Sequence, residues 1–204
     1  MKEFWNQRYK EEAYAYGTEP NDFFKASIEK YELKGSFLFA AEGEGRNAVY
    51  SAKLGNTCTA FDISAEGKRK AEQLAEKCKV KIKYEIASFD EFKSFELFDV
   101  VTLCFAHLPS DQLKRSYLKM ARFVKPDGVL IIEGFSKEHL QHQKENENAG
   151  GPKDVAMLFE QDHLIDLFNG FETLEANTTA TVLSEGAFHQ GTASVCRIVL
   201  KKVK

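Results

Sequence analysis

Two glycines and an aspartate supply the strongest chemical pattern in this chain. Gly43-x-Gly45-x-x-Ala48 follows a short apolar run at 36–41 and opens a helical pattern from Arg46. Glycine lets the backbone turn with positive φ and approach a ligand with no side chain between. Asp62 stands 17 positions beyond Gly45, at the end of the next apolar run. A carboxylate there is placed to accept hydrogen bonds from ribose hydroxyls. Strand, glycine turn, helix and distal acid point to a nucleoside-containing cofactor, with NAD and S-adenosylmethionine both open. Charge leans toward the second. A pyrophosphate on a helix N-terminus wants bare N–H groups, yet Glu42 and Glu44 flank Gly43. A carboxylate ~4 Å from a phosphate charge costs roughly 4 kcal/mol at an effective dielectric of 20. A sulfonium and an ammonium group meet no such penalty.

Two histidines are the candidate catalytic bases, His107 just beyond the fourth apolar run and His189 in the late segment 184–191. Imidazole titrates near neutrality, which suits proton removal from a hydroxyl or an amine; an acceptor that is already anionic needs no such base. His139, His142 and His163 are expected at the surface, and no metal site is expected, because His139 and His142 lack a third ligand. Cys58, Cys78, Cys104 and Cys196 show no ligand spacing and read as small hydrophobes. Trp5, Tyr9, Tyr14 and Tyr16 cluster in sequence and read as a cover whose π faces attract a cation.

The elements that must position these groups alternate in type. Apolar runs at 36–41, 57–63, 80–86, 98–104 and 129–133 predict five strands. Helical patterns lie between them at 46–54, from Ser64 as N-cap, and from Ser110 or Asp111. Lys125-Pro126-Asp127-Gly128 reads as a turn. A helix is expected over 160–168, then β-rich runs at 171–183 and 192–203 joined by residues 184–191. The fold expected is α/β: a Rossmann-like, doubly wound, mainly parallel seven-stranded sheet with a C-terminal antiparallel hairpin. One domain spans 1–204, with a helical cover at 1–35, a cofactor half at 36–135, and a lid segment and β-rich part at 136–204. The polar stretch 136–152 is expected to be a mobile excursion or a lid.

Composition agrees with one globular domain. The 204 residues are 43% hydrophobic and 29% charged, and 28 basic against 31 acidic residues give a net charge of -3. That balance has no footprint for a phosphate backbone, so no nucleic-acid partner is expected. No apolar run reaches the ~18–20 residues that span a bilayer, and the N-terminus is polar, so a cytoplasmic protein off the membrane is expected. A monomer and a homodimer are both open.

Glu-Gly-Glu-Gly-Arg-Asn-Ala (42–48), Asp62-Ile63-Ser64, Phe98-Asp99-Val100-Val101 and Val124-Lys125-Pro126-Asp127-Gly128-Val129-Leu130 occur in that order. With them the chain resembles a class I S-adenosylmethionine-dependent methyltransferase, and more narrowly the tellurite-resistance and thiopurine methyltransferase-like group acting on small molecules. Trp5-x-x-Arg8-Tyr9 and Tyr16-Gly17-x-x-Pro20-Asn21 look like that group's N-terminal cofactor cover, and the late 185–191 segment is similar too. The resemblance implies that Arg8 and Tyr16 close over the cofactor, and that Glu42, Gly43, Gly45 and Asn47 line its methionine part. It implies Asp62 on the ribose, Ile63, Ser88 and Phe89 around the adenine, and Cys104, Phe105 and His107 near the sulfonium and acceptor. The family's strand-one Asp is replaced here by Phe39, and Glu42 is the candidate to take over its role. The activity implied is in-line methyl transfer to a small molecule, a thiol or metalloid oxyanion. An NAD-linked oxidoreductase and a non-catalytic S-adenosylmethionine-binding module are the alternatives, the first weakened by the lack of a Tyr-x-x-x-Lys after the fourth strand.

Overall fold

Continuous apolar runs need cover on both faces, and the computed structural model gives it to them. The structure describes residues 1–203, the side chain of Glu147 apart. Its seven-stranded sheet comprises β1 (Ser36–Ala40), β2 (Thr57–Asp62), β3 (Lys83–Ile86), β4 (Phe98–Cys104), β5 (Val124–Phe135), β6 (Phe171–Glu185) and β7 (His189–Lys202), in the order β3-β2-β1-β4-β5-β7-β6. The first five strands are parallel, while β7 is antiparallel to both β5 and β6. Side chains of β1 alternate between two cores: Phe37 and Phe39 pack with Phe24, Val100 and Ile131, and Leu38 and Ala40 pack with Leu103, Leu130 and Met120.

The helices divide between those faces. On one side lie α2 (Asp22–Lys30), α3 (Arg46–Lys53) and α4 (Ala65–Lys77); on the other lie α5 (Ser110–Arg122) and the short α7 (Gln161–Ile165). N-caps start two of them as side-chain chemistry requires: Asn21 Oδ1 accepts from Phe24 N (2.8 Å), and Ser64 Oγ accepts from Gly67 N (3.1 Å). Helix α1 (Lys2–Lys10) packs on α4, where Asn6 Oδ1 accepts from Ser64 Oγ and Ala65 N. Among the described residues no helix is long and apolar enough to cross a membrane.

Several boundaries differ from the sequence expectation for local reasons. β3 starts at Lys83, because residues 78–80 end α4: Lys79 adopts φ 58 and Val80 N reaches back to Ala75 O (3.0 Å). The expected turn at 125–128 is absorbed into β5 as an irregularity, with Asp127 at φ 62 and a register shift against β4 between Phe98 and Val100. Helix α5 begins after Pro109, whose carbonyl accepts from Gln112 N and Leu113 N.

The hairpin differs most. β6 and β7 keep register as far as Glu185↔His189, so three residues connect them rather than eight. The tip is docked, with Ala187 N donating to Ala15 O (3.0 Å) and no room for a Cβ on Gly186, which would lie 2.3 Å from Ala15 O. Residues 136–152 likewise form a built wall. It carries α6 (His139–Glu145), tied to β7 by Asn146 Nδ2 to Gln190 O (2.8 Å) and Ser136 Oγ to Ser194 Oγ (2.7 Å). His139, expected at the surface, is buried against Phe135, with ring centroids 4.0 Å apart.

Candidate active site

Strand order reverses beside β1: the chain moves outward to β2 and β3, then crosses back to β4 and β5. Ligands in open α/β sheets bind at the strand carboxyl ends next to such a switch. Ala41 (φ 54) and Phe105 (φ 52), the residues just after β1 and β4, are both non-glycine and left-handed. Each costs roughly 1–2 kcal/mol, and such strain gathers at functional sites.

The glycine turn after β1 is held from three sides. Gly43 N donates to Asp62 Oδ2 (3.0 Å), Tyr84 Oη donates to Gly43 O (2.6 Å), and a Cβ on Gly43 would lie 2.6 Å from Tyr9 Oη. Gly45 caps α3 at φ 86, with Ala71 directly against it. Ser64 N donates to the other oxygen of Asp62 (2.8 Å). Burial raises Asp62 to about 6 against these backbone bonds. Glu42 Oε1 accepts from Ala48 N (2.7 Å) at the start of α3, and burial pushes its carboxyl up to about 7. Phe39, where the resembled family has an acid, is wholly buried against Phe24 and Phe37. Phe39 offers the turn no carboxylate, and the acids of the turn are Glu42 and Glu44.

The N-terminal segment is fastened to the same turn. Glu44 accepts from Ala15 N (2.8 Å) and pairs with Lys70 (2.5 Å), whose ammonium also donates to Glu11 O and Ala13 O. Asn47 Oδ1 accepts from Asn21 N (2.8 Å). Arg8 donates to Tyr16 Oη (3.1 Å) and lies 3.7 Å over the Phe188 ring at the hairpin tip.

Across the crevice stands a buried polar network whose members no local sequence pattern joins. Glu133, at the end of β5, accepts from Arg197 Nε (2.6 Å) and from Asn21 Nδ2. Asn21 Nδ2 also reaches Glu185 Oε1 (3.2 Å). Glu185 Oε2 meets Arg46 (2.9 Å) and His189 Nδ1 (2.9 Å). Burial alone would raise Glu185, but the His189 bond and the Arg46 guanidinium outweigh it and hold it at about 2. Cys104 connects the two halves: burial, with Glu133, Glu42 and Glu185 nearby, pushes its thiol well up, which keeps it protonated and inert. Four carboxyl groups, Glu42, Asp62, Glu133 and Glu185, thus stand with three guanidiniums, Arg8, Arg46 and Arg197, and this excess of one acid favours a cation.

The remaining expected site residues fall into three settings. Ile63 is half-buried just past Asp62, while Ser88 N and Oγ are bonded to Glu91 (2.9 and 2.7 Å) and Phe89 turns edge-on to Phe61. Phe105 faces the crevice against Phe135 and His189. His107 has both ring nitrogens engaged by backbone, Nδ1 with Met157 O (2.8 Å) and Nε2 accepting from Phe135 N (3.0 Å). Burial lowers it to about 4, so it is a neutral brace with no free nitrogen for a proton. His189 keeps Nε2 clear of hydrogen bonds among the described residues.

With this geometry in view, residues 37–128 match the family model described as a methyltransferase domain. No curated protein matches the chain in sequence. Among solved structures, one concerning the conversion of a disulfide bond into a thioacetal group during echinomycin biosynthesis is similar over 100% of this chain and 92% of its own, at 19% identity and a TM-score of 0.79. TehB from Haemophilus influenzae aligns over 98% of this chain and 66% of its own, at 15% identity and a TM-score of 0.70. Magnesium protoporphyrin IX methyltransferase from Synechocystis PCC 6803, with bound S-adenosylmethionine, aligns over 88% and 76%, at 16% identity and a TM-score of 0.64. At these identities the likeness is one of fold.

Proposed function

We propose that this chain is a methyltransferase with S-adenosylmethionine as its cofactor and that it methylates a small-molecule acceptor at the β1/β4 switch point, a reading supported by the methyltransferase-domain match over residues 37–128 and by the sheet topology. The observation that carries the reading is the excess of carboxylates in the crevice, with Glu42 raised to about 7 beside the glycine turn. A sulfonium and an ammonium group relieve that excess, whereas the pyrophosphate of NAD would add to it. The residues present suit the cofactor: a turn where only glycine fits, Asp62 fixed beside it by backbone N–H donors, and Glu42 accepting from Ala48 N at the start of α3.

S-adenosylmethionine, when bound, supplies an activated methyl group. The protein's part is to hold the acceptor in line and keep water out. Glu42, Gly43, Gly45 and Asn47 would line the methionine end, Asp62 the ribose, and Ile63, Ser88 and Phe89 the adenine. Arg8 and Tyr16, joined to each other and to the hairpin tip, would close the site from the N-terminal side. A sulfur-containing acceptor is supported by the structure concerned with disulfide-to-thioacetal conversion, which is similar to the whole of this chain.

The direct test is transfer of label. Incubation with methyl-labelled S-adenosylmethionine and a panel of small thiols and metalloid oxyanions is expected to give a labelled organic product and S-adenosylhomocysteine. Binding of the cofactor without turnover of any acceptor would favour the non-catalytic module instead.

A further inference from the structure

The hairpin tip places one imidazole in an aromatic enclosure. His189 lies 4.5 Å from the Tyr16 ring, 4.5 Å from Phe105 and 5.1 Å from Phe135, centroid to centroid. Gly150, from the 136–152 wall, closes the box so tightly that a Cβ there would lie 2.8 Å from His189 Cδ2. Nδ1 is committed to Glu185, which accepts and so must find the proton on Nδ1. Nε2 is then a lone-pair acceptor, with no hydrogen-bond partner among the described residues. Glu185 is fixed in turn by Arg46 and Asn21. Base, orienting carboxylate and supporting cation thus follow the logic of an activated-nucleophile site.

Resting on the methyltransferase reading, we infer that His189 Nε2 is the base for a neutral, protic acceptor, a thiol, with Glu185 as its positioning residue. The enclosure disfavours a preformed oxyanion. Arg46 is paired with Glu185 and also donates to Tyr16 O, and Arg197 is paired with Glu133, so the charge of both is already offset by a carboxylate, while Arg8 donates to Tyr16 Oη and lies over the Phe188 face. His189 Nε2 takes the proton from the acceptor S–H. The thiol sulfur forms its bond to the methyl carbon as the bond from that carbon to the sulfonium breaks, and the sulfonium keeps the electron pair and becomes a neutral sulfide. The imidazolium then returns its proton to solvent. The charged and titratable groups facing the ring are Glu185, Arg46, Arg8 and Tyr16, with the neutral His107 and His139 behind it.

A series of para-substituted benzenethiols tests this. In the wild type kcat/KM is expected to vary little with thiol pKa. In His189→Gln it falls about 10²-fold or more for thiols that are protonated at the assay pH, the usual size of base catalysis, and hardly at all for those already ionised. Retained S-adenosylhomocysteine affinity shows that the variant is folded. Independently of turnover, nitrogen NMR of the wild type should show the Nδ1–H tautomer of His189. Glu185→Gln is expected to mix the tautomers and lower kcat more than it raises KM, and Glu185→Asp to restore part of both. Equal dependence on thiol pKa in wild type and His189→Gln overturns the inference, as does methylation of selenite or tellurite in preference to every thiol. A wild type that does not bind S-adenosylhomocysteine overturns the methyltransferase reading and takes this inference down with it.

Discussion

Replacing Arg197 by Met is expected to cost about 3–5 kcal/mol of folding stability at neutral pH, the usual result of stranding one partner of a buried ion pair. Glu133 is fully buried at the end of β5, and its Oε1 accepts from Arg197 Nε at 2.6 Å. Burial raises the Glu133 pKa, and Arg197 is the first group that opposes the rise. Removing the guanidinium raises that pKa further. A carboxyl with a raised folded pKa contributes fully below the pKa of the unfolded chain and loses that contribution as pH rises through the folded value. The deficit of Arg197→Met should therefore be small near pH 4 and grow toward pH 7. Glu133→Leu combined with Arg197→Met should recover all but about 1–2 kcal/mol, since Asn21 loses one acceptor and keeps Glu185. Urea unfolding at several pH values measures both. A single variant as stable as the wild type at pH 7 would mean that the pair contributes nothing.

Cofactor binding is expected to release a proton. Glu42 ionises near 7 and Asp62 near 6 in the free protein, both raised first by burial. A cation against Glu42 and ribose hydroxyls against Asp62 favour the ionised carboxylates and pull both values down. Below pH 7 the proton must leave as the cofactor enters, so affinity should fall roughly tenfold per pH unit from 7 to 6, and more steeply below 6 as Asp62 joins. Calorimetry in two buffers of different ionisation enthalpy should count between one and two protons released at pH 6, most of one from Glu42 and about half of one from Asp62. Glu42→Gln should bind more weakly at pH 8 and lose most of the slope between 7 and 6. The sign runs the other way for the free protein: both carboxyls favour the folded state below the ordinary carboxylate pKa, and that contribution is lost as pH rises through 6 and 7. Binding with no proton release would place the ligand's charge away from Glu42.

The parts of the site legible in sequence are those carried by local pattern. Gly43, Gly45 and Asp62 sit within one strand–turn–helix–strand unit, where apolar runs, the Ser64 cap and glycine spacing all agree. The sheet was readable for the same reason, down to the antiparallel last pair. What escaped is long-range. Glu133, Arg197 and Asn21 meet across 64 and 112 positions, and nothing local marks them beyond a Glu closing an apolar strand. Glu185 was hidden because residues 184–191 read as a loop, whereas Gly186 allows a tighter turn that pairs it with His189. His107 and His139 illustrate the converse: type and position mark them as chemistry or surface, and only tertiary contacts reveal two neutral, backbone-bonded rings around Phe135.

The central claim is that the carboxylate-rich crevice at the strand ends takes S-adenosylmethionine and not a dinucleotide. Titrating the purified protein with S-adenosylhomocysteine and, separately, with NAD by calorimetry tests it most directly, repeated with Asp62→Asn. The account predicts binding of the first in the micromolar range, no heat from NAD, and at least a tenfold loss of affinity in the variant. Binding of NAD alone, or S-adenosylhomocysteine affinity unchanged by Asp62→Asn, would contradict it.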